Sequence, residues 1–178
     1  MSALDIAGQL DPNQITEISR QIGADPTQTR NAIEAAAPLL LTGAATTAQQ
    51  PGGSAQIQQA VDSHAGIVGN LGQLIGAGGP ADGGGLLGRI LGQSTGDVHT
   101  GVQQASGLNS DQTKRLLAIL APIVLGMIAK RRSAGQHPPI DTHLQEEAQR
   151  AREQAQHRSP QIGGILGKIL SYAEAPKR

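Results

Sequence analysis

Residues 11–41 read DPNQITEISRQIGADPTQTRNAIEAAAPLLL, and two helix starts are written into that stretch. Asp11-Pro12-Asn13-Gln14 and Asp25-Pro26-Thr27-Gln28 each place an aspartate at the N-cap, a proline at the first helical position and a glutamine three residues after the cap. The aspartate accepts from an otherwise orphaned backbone N–H. Proline needs no donor at that position, and the glutamine can reach back to the cap, as in a capping box. Leu10, Ile15, Ile18 and Ile22 then form one apolar face, and Gly23 closes the helix as a left-handed cap. The next helix presents Ile33, Ala36, Ala37, Leu40 and Leu41. Two helices meeting at a tight turn predict an all-α fold.

The same devices return further along the chain. Gly23, Gln28, Thr29, Ala37, Pro38 and Leu41 recur at a constant offset as Gly107, Gln112, Thr113, Ala121, Pro122 and Leu125, with Asp25, Arg30 and Ile33 replaced conservatively by Asn109, Lys114 and Leu117. At a slightly shorter offset Asp62-Ser63-His64 matches Asp141-Thr142-His143, and residues 84–91 (GGLLGRIL) match residues 163–170 (GGILGKIL). The expected architecture is a duplicated helical unit, residues 1–93 and 94–178, made of short capped helices plus glycine-rich amphipathic helices. A unit this small struggles to cover its apolar face alone, so each half is expected to bury itself against the other. Pro38 and Pro122 fall within apolar helical runs, where each should kink its helix or start a new one.

Between the repeated motifs, Ile57, Ala60, Val61, His64, Ile67, Val68, Leu71, Leu74 and Ile75 keep helical spacing, with Gly66, Gly69 and Gly72 interleaved. This predicts one helix whose glycine strip invites a neighbour. Residues 76–85, GAGGPADGGG, read as a flexible linker. Residues 140–160 are instead charged and Gln-rich, with Leu144, Ala148, Ala151 and Ala155 as a weak stripe, and are expected to form a solvated helix or a partly disordered insert.

Composition narrows the function classes. Of 178 residues, 14 are basic and 14 acidic, so no net field draws the chain to nucleic acid or an anionic membrane. The neutral balance also permits self-association. Phe, Trp and Cys are absent and Tyr172 is the single aromatic residue. The core must therefore be aliphatic, and thiolate chemistry, disulfides and Cys-ligated zinc are excluded; a reducing compartment fits. Residues 1–10 lack a basic stretch followed by an apolar run, which makes the cytoplasm the default. Residues 116–129, LLAILAPIVLGMIA, fall short of the roughly 20 residues of a spanning helix and read as a buried one.

No catalytic constellation is written into the chain. His64 sits on an apolar helical face with Asp62 nearby, yet nothing completes a triad, and a structural histidine is the plainer reading. His143 lacks a comparable setting for a shared metal site. Residues 76–85 have no preceding strand and no following GK[ST], against a phosphate-binding loop. Lys130-Arg131-Arg132 closes a long apolar helix, where cations suit the negative end of the dipole. Residues 11–41 superficially resemble a helix-turn-helix, but Arg30 is the only basic residue of the second helix.

The ordered set of DPxQ caps, APLLL and APIVLG runs, a DxH segment and GGLLGRIL resembles the bacterial family catalogued as domain of unknown function 937, related to the YidB-like proteins. The resemblance covers residues 10–132, with an echo as far as Leu170; the charged residues 140–158 depart from the glycine-rich character of the pattern. It implies an all-helical cytoplasmic protein with no assigned activity, cofactor or catalytic residue. The expected role is a non-enzymatic structural or scaffolding protein whose partner is itself. Its self-association surface is expected at Gly66, Gly69, Gly72, Leu86, Leu87, Ile165 and Leu166. A peripheral membrane or envelope-associated factor is the runner-up, and a small DNA-binding regulator the third reading. Neither nucleic acid nor a small-molecule substrate is expected as a partner.

Overall fold

A computed structural model describes residues 6–77, 83–134, 140–158, 162 and 164–169, and every regular element among them is helical. A short turn, α1 (Ile6–Gln9), precedes α2 (Pro12–Ile22) and α3 (Pro26–Ala48), which begin at the two Asp-Pro signals. Asp11 N–H donates to Gln14 Oε1 at 2.9 Å, and Asp25 Oδ1 accepts from Thr27 N at 2.8 Å. Gly23 adopts φ 70° and ψ 40°, and Ala24 N donates to Ser19 O at 2.9 Å, the long bond of a Schellman closure.

The chain continues through α4 (Gly53–Ser63), a 3-10 turn at Ile67–Asn70, α5 (Leu71–Gly76) and α6 (Gly83–Leu91). A second 3-10 turn, Gly92–Ser94, leads to α7 (Thr95–Ser106), α8 (Ser110–Ala134) and α9 (Ile140–Arg158). Residues 164–169 are helical as well. α7 has no counterpart among the helices expected from periodicity; Val98 and Val102 are its only fully buried aliphatics.

The devices of the first turn recur at the second. Gly107 takes φ 73°, and Asn109 and Gln112 exchange reciprocal bonds of 2.9 and 3.0 Å. Thr29 and Thr113 each donate a hydroxyl to the carbonyl of the cap residue four positions earlier, Asp25 and Asn109. The two turns also meet: Gln112 Nε2 donates to Gly23 O, while Gln28 Nε2 lies 3.7 Å from where a β-carbon would sit on Gly107. The packing is reciprocal at the level of helices too, with α2 against α8 and α7 against α3. The correspondence ends at α4 and α9: Asp62-Ser63-His64 closes α4, whereas Asp141-Thr142-His143 opens α9.

Both parts of the chain feed a single aliphatic core. Ile18, Ile33, Leu40 and Leu41 join Leu116, Leu117, Leu120 and Leu125 in it, all at most 1% exposed. α3 lies at its centre, touching α2, α4, α6, α7, α8 and α9. At Gly101 an added β-carbon would lie 2.9 Å from Leu39 Cδ1 and 3.1 Å from Ile165 Cδ1, so glycine sets how closely α7 approaches α3 and the C-terminal helical turn.

Four expectations need correction. The expected helix from Ile57 to Ile75 is broken at His64 and continues as a 3-10 turn and a short helix, because Gly66, Gly69, Asn70 and Gly72 are poor helix formers. Helical structure also reaches into the expected linker 76–85 from both sides, at Gly76 and Gly83; residues 78–82 lie outside those described. Of the two outcomes expected at Pro38 and Pro122, a kink or a new helix, the second is not found, since α3 and α8 run through them. Residues 140–158 form the helical one of the two expected alternatives, but that helix is not solvated on every side: Ile140, Leu144 and Ala148 are buried, and so is Glu147.

Candidate interaction surfaces

The seven residues expected to mediate self-association divide into two groups. Gly66, Gly69 and Gly72 are exposed, and a β-carbon on any of them would meet nothing within 4 Å. No part of the described chain uses this glycine strip for close approach. Beside it Ile67, Val68, Leu71 and Leu74 are half-buried, and Val68, Leu71 and Leu74 pack from the edge onto the core. The result is a strip of accessible backbone flanked by partly exposed aliphatics.

Leu86, Leu87 and Leu166 are instead core residues, at 9%, 7% and 0% exposure, and Ile165 is half-buried against Gly101. α6 places its apolar face against α3, α4 and α8 and turns Gly84, Gly85, Gly88 and Arg89 outward. Among the described residues, the aliphatic side chains of the two GG[IL]LG[KR]IL segments are therefore buried or half-buried within the chain, and Lys168 Nζ ties the second segment to Asp97 Oδ1 of α7 at 2.7 Å.

The glycines that do permit close approach are others. Besides Gly101, Gly126 of α8 would place a β-carbon 3.1 Å from both His64 O and Val68 Cγ2. His64 itself is half-buried, and its Nδ1 lies 2.7 Å from Ala60 O of its own helix, a structural use of the ring.

A feature without a sequence signal lies where α8 meets α9. Glu147 is 3% exposed, and its Oε1 accepts from Arg131 Nη1 of α8 at 3.0 Å and from Arg150 Nη1 of α9 at 3.3 Å. Its Oε2 is buried without a hydrogen-bond partner, as are Arg132 Nε and Arg152 Nε. Arg132 Nη1 donates to Gln58 Oε1 of α4. Arg131 and Arg132 thus reach two other helices in addition to closing α8. Arg131 and Glu147 are 16 positions apart on different helices, so no local pattern pairs them.

Within α8, every residue from Leu116 to Ala129 is buried except half-buried Ala118. Ser110–Ser133 is long and apolar enough to cross a membrane, yet an apolar stretch of 18 residues within it is 78% buried among the chain's own helices. Among the described residues no group of three or more His, Asp or Glu side chains is placed to hold a metal ion. In the helix pair α2 and α3, the basic Arg30 is ion-paired to Glu34 at 3.4 Å, and from Ala35 onward α3 is buried except at half-buried Pro38.

Compared with known proteins, residues 5–131 match a family model described as bacterial protein of unknown function (DUF937). No curated protein and no solved structure matches the chain.

Proposed function

The chain belongs to the bacterial DUF937 family, which brings a shared domain but no assigned activity, and on that premise we infer that it is a non-enzymatic structural or scaffolding protein, built from two copies of one helical unit, that associates with itself. The observation that carries this reading is the glycine strip at Gly66, Gly69 and Gly72. The chain leaves it open, with half-buried aliphatics beside it and nothing within 4 Å of the positions a β-carbon would occupy. Exposed backbone allows a helix of another molecule to approach closely, and the flanking aliphatics supply apolar area that is lost to water on contact. A formal charge of zero removes net repulsion between copies. The recurring caps and the reciprocal packing of α2 on α8 and α7 on α3 support a two-copy origin, in which surfaces that fit within a chain also fit between chains.

The test is Gly69→Leu. Because a β-carbon at this exposed position meets nothing within 4 Å, the effect of the substitution reports on the intermolecular contact. Sedimentation velocity is expected to show self-association of the wild type that is weakened by Gly69→Leu. Identical sedimentation of the two chains at every concentration would remove the glycine strip as the surface.

A further inference from the structure

α9 lies outside the family-matched residues 5–131, yet it packs along α3, the central helix of that unit, and touches α4. Its buried apolar side is thin: Ile140, Leu144 and Ala148 are its fully buried aliphatics among the described residues. A helix whose described side chains bury so little apolar area, with half-buried Ala151 beside them, undocks more easily than the core on which it lies. What it buries in addition is a charge. Glu147 is 3% exposed and takes Arg131 of α8 and Arg150 of α9 on one oxygen, and its other oxygen is buried without a partner. A buried carboxylate adds little stability compared with an aliphatic side chain of similar size, but it discriminates strongly between helices and registers that do and do not present it to the arginine.

We propose that the seat of α9 on α3 is an exchangeable helix-docking site whose occupant in trans is the α9 of a second copy, with the Arg131–Glu147 pair formed between chains. A second copy is the occupant because α9 is the helix seen to fit the seat, with its carboxylate the complement of Arg131. Each copy carries both the seat and the helix, so exchange is reciprocal and closes as a two-fold dimer. The proposal rests on the self-association reading but assigns a surface other than the glycine strip.

The test uses full-length chains carrying reciprocal charge swaps. Arg131→Glu alone sets a new carboxylate against the chain's own Glu147, and Glu147→Arg alone sets a new guanidinium against its own Arg131. Only an exchanged heterodimer of the two variants takes the like charges apart, setting one carboxylate against one guanidinium at each seat; without exchange, one chain keeps two carboxylates together and the other two guanidiniums. Native mass spectrometry of an equal mixture, with one variant isotope-labelled, is expected to show mixed dimers in excess of random pairing, at twice the 18.3 kDa chain mass. If either variant fails to fold alone, refolding the two together is expected to recover a folded heterodimer. Random pairing would overturn the exchange and leave self-association through another surface standing. Absence of any dimer in both the mixture and the wild type would remove both readings, and failure of the joint refolding to yield folded protein would overturn the exchange.

Discussion

At the scale of single residues, the core and the surface ask opposite things of the same amino acid. Gly101 holds α7 against Leu39 and Ile165, whereas Gly72 faces open space inside α5. Gly101→Ala pushes a methyl group into a buried leucine, and the loss is expected at about 1–3 kcal/mol, reduced by alanine's better helix propensity. Gly72→Ala meets no neighbour and is expected to be neutral or stabilising by up to about 1 kcal/mol. Urea denaturation of both variants checks the contrast, and equal midpoints would show that α7 is not seated at Gly101. Leu120 has no exposed surface, and Leu120→Ala is expected to cost about 2–5 kcal/mol by leaving a cavity that aliphatic neighbours refill only in part. Both glycines look alike in the sequence. What separates them is the neighbour that tertiary packing brings, so spacing alone points to Gly66, Gly69 and Gly72 for close approach and passes over Gly101 and Gly126.

At the scale of elements, the helices that can be read from the sequence are those whose signals are local. Asp25, Pro26 and Thr27 start α3 through bonds spanning two to four residues, and Gly23 ends α2 in the same way, so pattern and structure agree there. α7 is not legible because Val98 and Val102 alone mark its inner face. α9 reads as solvated because its sequence is charged and Glu147 looks like any surface acid; Arg131, which draws it inward, belongs to another helix. A distinct outcome follows for that helix. Arg131→Ala removes one of the two guanidinium partners of a buried carboxylate and is expected to cost about 1–2 kcal/mol, moderated because Arg131 is itself about a third exposed. Glu147→Met replaces the charge and its unpartnered oxygen by an aliphatic shape and is expected to be neutral or stabilising. Thermal melts of the two variants check this, and a larger loss for Glu147→Met than for Arg131→Ala would contradict the assignment of Glu147 as a specificity element with little net stabilising effect.

At the scale of the whole molecule, an aliphatic core drawn from both parts of the chain surrounds α3, and the two glycine-capped turns meet at the surface, where Gln112 donates to Gly23 O and Gln28 lies beside Gly107. The apolar runs of α6 and α8, which in the sequence could serve a membrane, are used up inside that core. Among the described residues the glycine strip stays outside that core, with no net charge to oppose a second copy. Self-association of the native chain is therefore the central claim. Multi-angle light scattering of the wild type over a concentration series tests it most directly. The expected result is a molar mass that rises above 18.3 kDa as concentration increases, and a constant 18.3 kDa at every concentration would contradict it.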